Sequence, residues 1–313
     1  MVHATTRPRP DLADAIASQT RVLVTELGRA RLGDVRGIHR ARTSSRRLRE
    51  VLPVAEVAAP GAGIDRTQRE IRRITRVLGP VRELDVAIAE FTKSAGRQVD
   101  PVVDAIERHL TSERARRFHS VIVKFGALDL DRLRARLEAV ATAVDSETVR
   151  RVWERALAER LRRRATRLLR AIDEAGTLYV PERLHAVRIA AKKLRYGLEL
   201  TRDASGLPVG SLAASIKRVQ DVLGRLHDLE VLAGQVREMA ARSRRAAVGS
   251  EGILATLERE CRAQHARYLA KRTGLSTQAI RTKDEVAPTL KGRQLPMMKL
   301  GATALAAREA RWR

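Results

Sequence analysis

The sequence of 313 residues is poor in several residue types that mark particular protein classes. It holds one cysteine, Cys261, which excludes an intramolecular disulfide framework and favours a reducing compartment. Aromatic residues make up 3% of the chain, so stacking platforms for single-stranded nucleic acid are scarce. No apolar run is long enough to cross a bilayer, and residues 1–10 lack the apolar core of a signal peptide. We therefore expect a cytoplasmic protein.

Two further absences concern the fold and the chemistry. Alternation of β-branched and polar residues never persists between turn signals, so no strand is predicted. The chain also shows no Walker loop, no nucleophile elbow and no Cys/His spacing typical of zinc sites. These absences favour an all-α protein that is not an enzyme and needs neither a cofactor nor a metal.

What the chain has in excess is positive charge. It carries 62 Lys and Arg against 37 Asp and Glu, a formal net charge of +25. Such an excess indicates a polyanionic partner, which can be nucleic acid, a phosphate polymer or an anionic membrane surface. Most of the cations are arginines, whose planar guanidinium can hold two phosphate oxygens at once.

One basic stretch occurs twice, because the segment from His39 to Arg49 returns 146 residues later as His185 to Arg195. Neither copy contains Gly or Pro, so both can be helical. Four basic side chains of each copy then share an arc of about 80° on the helix surface. They are His39, Arg42, Arg46 and Arg49 in the first copy and His185, Arg188, Lys192 and Arg195 in the second, and the flanking cations Arg47 and Lys193 also match.

Each of these cationic stripes repels itself, because residues three and four apart on a helix are neighbours. A polyanion lying along the stripe would relieve the repulsion. One stripe alone is typical of a solvated helix face, but duplication in the same register favours a binding site. The leading histidines, His39 and His185, can contact phosphate or satisfy a buried carbonyl. A metal site is disfavoured, because Arg rather than a second ligand lies three residues after each.

A second duplicated signal follows each stripe, since Leu78 to Val86 pairs with Leu223 to Val231 at an offset of 145. Its acids are Glu83, Asp85, Asp228 and Glu230. Neighbouring cations lower carboxyl pKa values and make these groups poor proton donors, so we interpret them as ion-pair partners of the motif arginines. The cations that precede the signal, Arg72, Arg73, Lys217 and Arg218, can line the same surface or form an ordinary charged helix face.

Apolar periodicity and turn residues divide the chain into helices. We predict helices at 11–33, 34–57, 65–78, 81–94, 101–125, 131–143, 147–175, from 181 to the break at 206–208, 213–223 and 251–272. Gly79-Pro80 and Gly224 are interpreted as helix ends. Residues 1–10 are predicted to be a flexible lead-in, and residues 273–313 a mobile basic tail with a short helix at 299–311.

The doubled His-x-x-Arg-x-x-x-(Arg/Lys)-(Arg/Lys)-Leu-Arg motif and the Leu-Gly-x-x-(Arg/His)-(Glu/Asp)-Leu-(Asp/Glu)-Val motif resemble those of the CHAD family, the conserved histidine α-helical domain. The resemblance covers about residues 11–272 and implies two four-helix bundles, 11–145 and 146–272, related by a pseudo-twofold axis. Their long antiparallel helices would enclose a basic surface or pore. The resemblance also implies binding of inorganic polyphosphate and association with polyphosphate granules. No triphosphate-tunnel domain is recognised, so a stand-alone member is expected.

Carried over position by position, the cations of the family motif fall on both stripes and their flanking residues. The predicted polyphosphate-binding residues are His39, Arg42, Arg46, Arg47, Arg49, His185, Arg188, Lys192, Lys193 and Arg195, together with Arg72, Arg73, Lys217 and Arg218. The first copy departs from the motif at Thr43, where the second has the aliphatic Ile189. We predict non-enzymatic polyphosphate binding with no membrane partner. The alternatives are a nucleic-acid-binding helical protein and an enzyme that transfers or hydrolyses phosphate through a phosphohistidine.

Overall fold

The computed structural model describes residues 10–95, 101–126, 128–241 and 244–292. Every regular element in these ranges is helical and none is a strand, which confirms the predicted all-α class. None of the described helices combines the length and the apolar content that a bilayer crossing requires. The helices are α1 (Leu12–Arg31), α2 (Val35–Ala58), α3 (Ile64–Ala95), α4 (Pro101–Gly126), α5 (Leu130–Val144), α6 (Glu147–Ala175), α7 (Pro181–Ser205), α8 (Gly210–Ala240), α9 (Arg244–Arg281) and α10 (Ala287–Leu290), with a π-helical turn over Thr282–Val286.

Local sequence explains where several helices begin and end. The helices α1, α2 and α5 each follow an aspartate whose side chain accepts a hydrogen bond from a backbone N–H three residues later, namely Asp11, Asp34 and Asp129. Pro181 occupies the first turn of α7, where its missing N–H has no partner to lose. The same helix ends at Gly206, whose φ of 72° favours glycine. The caps therefore set both ends of the second motif helix.

Four helices confirm the predicted ranges closely. The observed bounds of α2, α4, α5 and α6 differ by at most one residue at each end from the predicted 34–57, 101–125, 131–143 and 147–175. Differences of this size are normal for helix ends. Both α8 and α9 are longer than predicted, since they begin before residues 213 and 251 and end after residues 223 and 272.

The helix ends predicted at Gly79-Pro80 and at Gly224 are wrong, because α3 and α8 run through both positions. Pro80 has no N–H and therefore removes one backbone hydrogen bond from α3. The neighbouring side chains of Leu78 and Val81 are fully buried. Burial of apolar side chains on both sides of the proline outweighs the local loss, and the helix continues.

The prediction of a mobile tail from residue 273 is wrong for residues 273–290. The chain stays helical there, and Leu275, Ala279 and Leu290 are buried against the body of the protein. Pro288 does not interrupt the helical path, because it lies in the first turn of α10. The predicted lead-in, up to residue 9, and the predicted helix at 299–311 lie outside the described residues.

The apolar residues form a large core and a small core. The large core draws on α1, α2, α5, α6 and α7, on the first parts of α3 and α8, on the later part of α4, and on the residues from Tyr268 to Leu290. The small core is built by the earlier parts of α4 and α9 and the later parts of α3 and α8. Because residues from both sequence repeats enter the large core, residues 11–145 and 146–272 are not packed independently.

Four of the described helices, α3, α4, α8 and α9, cross from one core to the other, and α3 and α8 carry the second duplicated signal. Between Val81 and Leu84, α3 leaves the large core and enters the small one, and α8 does the same between Leu226 and Leu229. The crossing residues are polar: Arg82 and Glu83 in α3, and His227 and Asp228 in α8. A polar layer therefore separates the two apolar cores where α3 and α8 pass between them. The pseudo-twofold relation of two bundles stays a prediction.

Candidate polyanion-binding site

The two motif stripes lie on neighbouring helical hairpins. Helix α2 packs against α3, and α7 packs against α8. We refer to α2 with α3 as the first hairpin and to α7 with α8 as the second hairpin. The two hairpins are side by side, because α2 also contacts α7 and α3 contacts α8. This arrangement brings both stripes to the polar layer between the cores.

A matched glycine lies beneath a matched arginine in each hairpin. A Cβ atom added at Gly79 would lie 3.6 Å from Nη2 of Arg42, and one added at Gly224 would lie 4.0 Å from Nε of Arg188. The two glycines and the two arginines correspond between the sequence repeats. A methyl group at either position would make only ordinary contact, so the packing does not require glycine there. The Leu-Gly signal nevertheless marks the point at which the guanidinium of each motif arginine lies against the facing helix.

Half-buried basic side chains from both hairpins meet at the polar layer, and we define them as the cationic cluster: Arg42, Arg46 and Arg82 of the first hairpin, and Arg188, Lys192 and His227 of the second. Burial, followed by the charges of Arg46, Arg188 and Arg42, lowers the pKa of Lys192 to about 6. Burial followed by the charge of Arg46 lowers the pKa of Arg42 to about 10. Charges of one hairpin thus act on the other, so the two stripes face each other.

The cationic cluster has few negative partners. Burial lowers the pKa values of Arg82 and Arg188, and the charge of the partly buried Asp228 opposes this larger effect in both. Within the described part of the chain, no carboxylate oxygen lies within 4.0 Å of the charged nitrogens of Arg46, Arg188 or Lys192. Arg42 does have one partner, since its Nη2 lies 3.3 Å from Oε1 of Glu83, whose side chain is 52% exposed. Such unpaired, half-buried cations repel one another in the free protein. The arrangement favours any ligand that brings several negative charges.

The histidines at the heads of the stripes occupy related but different surroundings. Nδ1 of His185 lies 3.3 Å from Nδ1 of His227, and the ring centroids are 4.6 Å apart. His39 lies instead beside Arg82, the residue that matches His227, and burial together with Arg82 lowers its pKa. Burial and then the charge of Arg188 likewise lower the pKa of His185. Both motif histidines are therefore neutral near pH 7 and can each donate one hydrogen bond.

The sequence predicts that the acids of the second duplicated signal are ion-pair partners of the motif arginines, and this holds for only part of the set. Glu83 is such a partner, since it pairs with Arg42. Asp85 instead accepts a hydrogen bond of 2.6 Å from Arg114 of α4, and Glu230 accepts one of 2.8 Å from the Tyr179 hydroxyl. The prediction is wrong for these two acids, because residues two apart on a helix project about 200° from each other.

Two of the predicted binding residues are engaged inside the protein. Arg47 of α2 and Arg195 of α7 both bind the carboxylate of Glu199, with Nη2 of Arg47 at 3.4 Å from Oε2. Arg195 also donates from Nε to Oε1 of Gln220 at 2.7 Å, and its guanidinium lies 4.5 Å from the ring centroid of Tyr196. Only 9% of Arg195 is exposed. Both arginines therefore have protein partners of their own, unlike Arg46 and Arg188 of the cationic cluster.

The remaining predicted residues are exposed on the helix surfaces: Arg49, Arg72, Arg73, Lys193, Lys217 and Arg218. Lys217 forms a hydrogen bond of 2.6 Å with Asp221, and Arg218 forms one of 2.8 Å with Ser215. Arg49 lies near Arg72 and Arg76, because their charges lower its pKa in addition to the larger effect of its burial. The structure thus brings Arg49 close to the cluster and leaves Lys217 and Arg218 in local pairs.

Sequence reasoning missed two members of the cluster, Arg82 and His227. They occupy equivalent positions of the second duplicated signal, and both are basic. That match was a usable signal, but the neighbouring acids drew the interpretation toward ion pairs. No group of three or more His, Cys, Asp or Glu in the described ranges could hold a metal ion.

Comparison with known proteins places this geometry in a family. A family model described as the CHAD domain matches residues 14–237. The crystal structure of the CHAD domain from the plant Ricinus communis is similar with a TM-score of 0.60 at 21% identity, over 89% of this chain and 97% of that one. PptA from Streptomyces chartreusis is similar with a TM-score of 0.55 at 18% identity, over 87% and 99%. At these identities the similarity concerns the fold. No curated protein matches the sequence.

Proposed function

The chain belongs to the CHAD domain family, and from this premise we propose that it binds inorganic polyphosphate without transforming it. The observation that carries the proposal is the cationic cluster, to which both hairpins contribute half-buried basic side chains, and within the described ranges no carboxylate lies within 4.0 Å of Arg46 or Arg188. In the free protein this cluster is electrostatically unfavourable. A linear polyanion laid between the hairpins would supply the missing negative charges.

The chemistry of the cluster suits a uniform phosphate chain. The guanidinium groups of Arg42, Arg46 and Arg188 can each hold two oxygens of successive phosphoryl groups through charge-assisted hydrogen bonds. The neutral His39 and His185 can add uncharged donors. Lys192, whose pKa lies at about 6, takes up a proton when negative charge arrives. Binding of this kind needs neither chain ends nor a sequence, and it would retain the protein on polyphosphate granules.

Two features favour polyphosphate over nucleic acid as the partner. Tyr196, the aromatic residue next to the second stripe, is 7% exposed and lies under Arg195, so it offers no platform for stacking a base. The motif helices α2 and α7 are packed into the large core and against each other. A helix that reads a duplex has to enter a groove, which requires one exposed face along its length.

A competition titration at physiological salt tests the proposal. Labelled long-chain polyphosphate is bound and then displaced by unlabelled polyphosphate, duplex DNA or single-stranded RNA. We expect displacement by polyphosphate at much lower concentration than by either nucleic acid. Changing Arg42, Arg46, Arg188 and Lys192 to Ala should weaken binding at least about 100-fold, since each charge-assisted hydrogen bond contributes roughly 1.5–3 kcal/mol.

The matched control removes four cations elsewhere. Arg151, Arg155, Arg167 and Arg170 of α6 are exposed, and among the described residues no carboxylate lies within 4.0 Å of them. Their change to Ala should weaken binding by only a few fold. Equal displacement by nucleic acid, equal loss in both variants, or shortening of the polymer during incubation would each overturn the proposal.

A further inference from the structure

Beyond the cationic cluster, the two hairpins differ in the next basic residue of the stripe. In the first hairpin this residue is Arg49, which is exposed and has no carboxylate within 4.0 Å among the described residues. In the second it is Arg195, which is 9% exposed and bonded to Glu199 and Gln220. The last basic residue of the stripe is therefore exposed in the first hairpin, whereas in the second hairpin it is buried and paired.

Sequence differences at matched positions explain this asymmetry. Four residues after Arg49 comes Pro53, whereas four residues after Arg195 comes Glu199. A proline cannot pair with a guanidinium, but a carboxylate at that spacing can. Gln220, which accepts from Arg195, is matched by Thr75, whose hydroxyl is used within the helix by donating to the Ile71 carbonyl oxygen at 2.9 Å. Arg49 thus lacks both partners that hold Arg195 inward.

The two hairpins also differ in the helices that pack against the stripes, α3 in the first and α8 in the second. In α3, Arg72 and Arg76 lie near Arg49: burial lowers the pKa of Arg49 most, the charge of Glu50 raises it, and the charges of Arg72, Arg46 and Arg76 lower it. In α8, the position that matches Arg76 is Asp221, which binds Lys217 at 2.6 Å. The first hairpin consequently presents a continuous basic surface that starts at the cationic cluster. We define Arg49, Arg72 and Arg76 as the basic outlet.

The corresponding end of the second hairpin carries matched charges. Glu199 borders a cavity between α1, α2 and α7, which Asp14, Asp203 and Arg47 also line. Glu199 is paired with Arg47 and Arg195, and Asp203 is paired with Arg202, so this end offers a polyanion little free positive charge. The two ends of the cluster therefore differ in the positive charge that they offer to a chain longer than the cluster.

We propose that a bound polyphosphate chain leaves the cationic cluster over the basic outlet and not over the second hairpin. This inference rests on the proposed function and adds the path that the polymer takes. It implies that chain length is sensed: a short oligophosphate fills the cluster alone, whereas a long chain also contacts Arg49, Arg72 and Arg76. The outlet residues then strengthen the binding of long chains selectively.

The test compares two ligands, long-chain polyphosphate and tripolyphosphate, on the full chain at fixed salt. The variant R49Q/R72Q/R76Q should bind long polyphosphate about 10-fold or more weakly and tripolyphosphate within about three-fold of the unaltered protein, since each lost phosphate contact is one electrostatic interaction. Its binding of the long chain should also depend less steeply on salt, with the log–log slope reduced by about two. The control R151Q/R155Q/R167Q removes three exposed cations of α6 and should change neither ligand by more than about three-fold.

A second variant tests the same path without removing a cation. P53E places a carboxylate four residues after Arg49, as Glu199 stands after Arg195, and it should weaken binding of the long chain selectively. Removing a proline from inside α2 also restores a backbone donor, so the helix should be retained.

Three results would overturn the proposed path over the basic outlet. They are unchanged long-chain binding in R49Q/R72Q/R76Q, equal losses for both ligands in that variant, and an equal loss of long-chain binding in the α6 control. If the change of Arg42, Arg46, Arg188 and Lys192 still abolishes binding in that case, the proposed function stands and only the path is wrong. If the unaltered protein shows no preference for polyphosphate, both fall together.

Discussion

The first and second hairpins are alike where they face each other and unlike where they face the rest of the protein. Both place an arginine over a glycine at the polar layer, at Arg42 with Gly79 and at Arg188 with Gly224. Where α2 and α7 meet α6, two matched positions differ in kind, although the matched Leu48 and Leu194 are both fully buried. The duplicated motif therefore preserves the arginine–glycine pairs at the polar layer, while each repeat meets helix α6 with its own contacts.

The contact of α2 with α6 is electrostatic. Glu50 is 8% exposed and receives Arg160, with Nη2 at 3.4 Å from Oε2, and Arg164, which lies closer still. Arg164 also donates to the backbone oxygen of Lys193 in α7 at 2.7 Å. This buried ion pair consequently joins α6 to both motif helices.

The contact of α7 with α6 depends instead on the absence of a side chain. A Cβ atom at Gly197 would lie 2.8 Å from Cδ2 of Leu161 in α6. The matched position of α2 is Val51, which is buried in the large core. A single helix, α6, thus supports two copies of one motif, through an ion pair on one side and a close approach on the other.

Removing the ion pair between Glu50 and the arginines of α6 should lower the free energy of unfolding more than the other substitutions that compare the two hairpins. The variant E50A leaves Arg160 and Arg164 without their buried partner, which typically costs about 3–5 kcal/mol of folding free energy. Urea denaturation would measure the change. The control E159A removes a partner of exposed Arg162 and should cost less than about 1 kcal/mol. Similar losses in both variants would mean that the buried pair does not fasten α2 to α6.

Filling the close approach should have the next largest effect. The variant G197A places a methyl group within 2.8 Å of Leu161, and overpacking of this kind costs about 1–3 kcal/mol. The free energy of unfolding, again from urea denaturation, reports it. A neutral or stabilising G197A would show that α6 and α7 can move apart freely, and the contrast between the two hairpins would lose one of its two supports.

Lys192 and its match Arg46 should differ in how binding depends on pH. The pKa of Lys192 in the free protein is lowered to about 6, so above that pH its amine is mostly neutral and has to gain a proton as polyphosphate binds. Affinity should therefore fall as pH rises from 6 to 8, by up to about ten-fold per unit. Isothermal titration in buffers of different ionisation enthalpy would also detect the proton uptake.

The variant K192R serves as the control, because arginine stays protonated throughout this range. Its affinity should remain nearly constant between pH 6 and 8. A pH dependence of equal steepness in K192R would assign the proton uptake to another group.

The matched glycines should give the smallest effect and the same one in both hairpins. A methyl group at Gly79 or Gly224 would meet its nearest neighbour at 3.6 or 4.0 Å, which is ordinary contact. Because glycine inside a helix is less favourable than alanine, G79A and G224A should each stabilise the protein by about 0.5–1 kcal/mol in thermal or urea unfolding. Opposite signs at the two positions would break the equivalence of the hairpins at their common face.

Helical periodicity was sufficient to predict the all-α class and most helix bounds, because amphipathic spacing reports which side of a helix is buried. It failed at Gly79-Pro80, where local turn residues are overruled by burial of Leu78 and Val81. Turn signals describe the preference of a few residues, whereas continuation of α3 depends on packing partners distant in sequence. The helical end of the chain beyond residue 273 was missed for the same reason.

At the site, the sequence contained more information than its interpretation used. The spacing of Arg195 and Glu199 is an ordinary helical ion pair, and Pro53 at the matched position shows that Arg49 has no such partner. The asymmetry between the repeats was therefore visible in the alignment of the two copies. The contact of His185 with His227 could not be predicted, because it depends on how α7 packs on α8.

The polar layer is spanned by continuous helices, and this bears on how the protein unfolds. Both α3 and α8 begin in the large core and finish in the small one, so neither core can come apart without disturbing helices of the other. Melting should then occur as one cooperative transition, and amides on both sides of the layer should exchange with solvent through a shared opening event. A polymer held at the layer would slow that opening, so its effect on hydrogen exchange should extend well beyond the residues it touches.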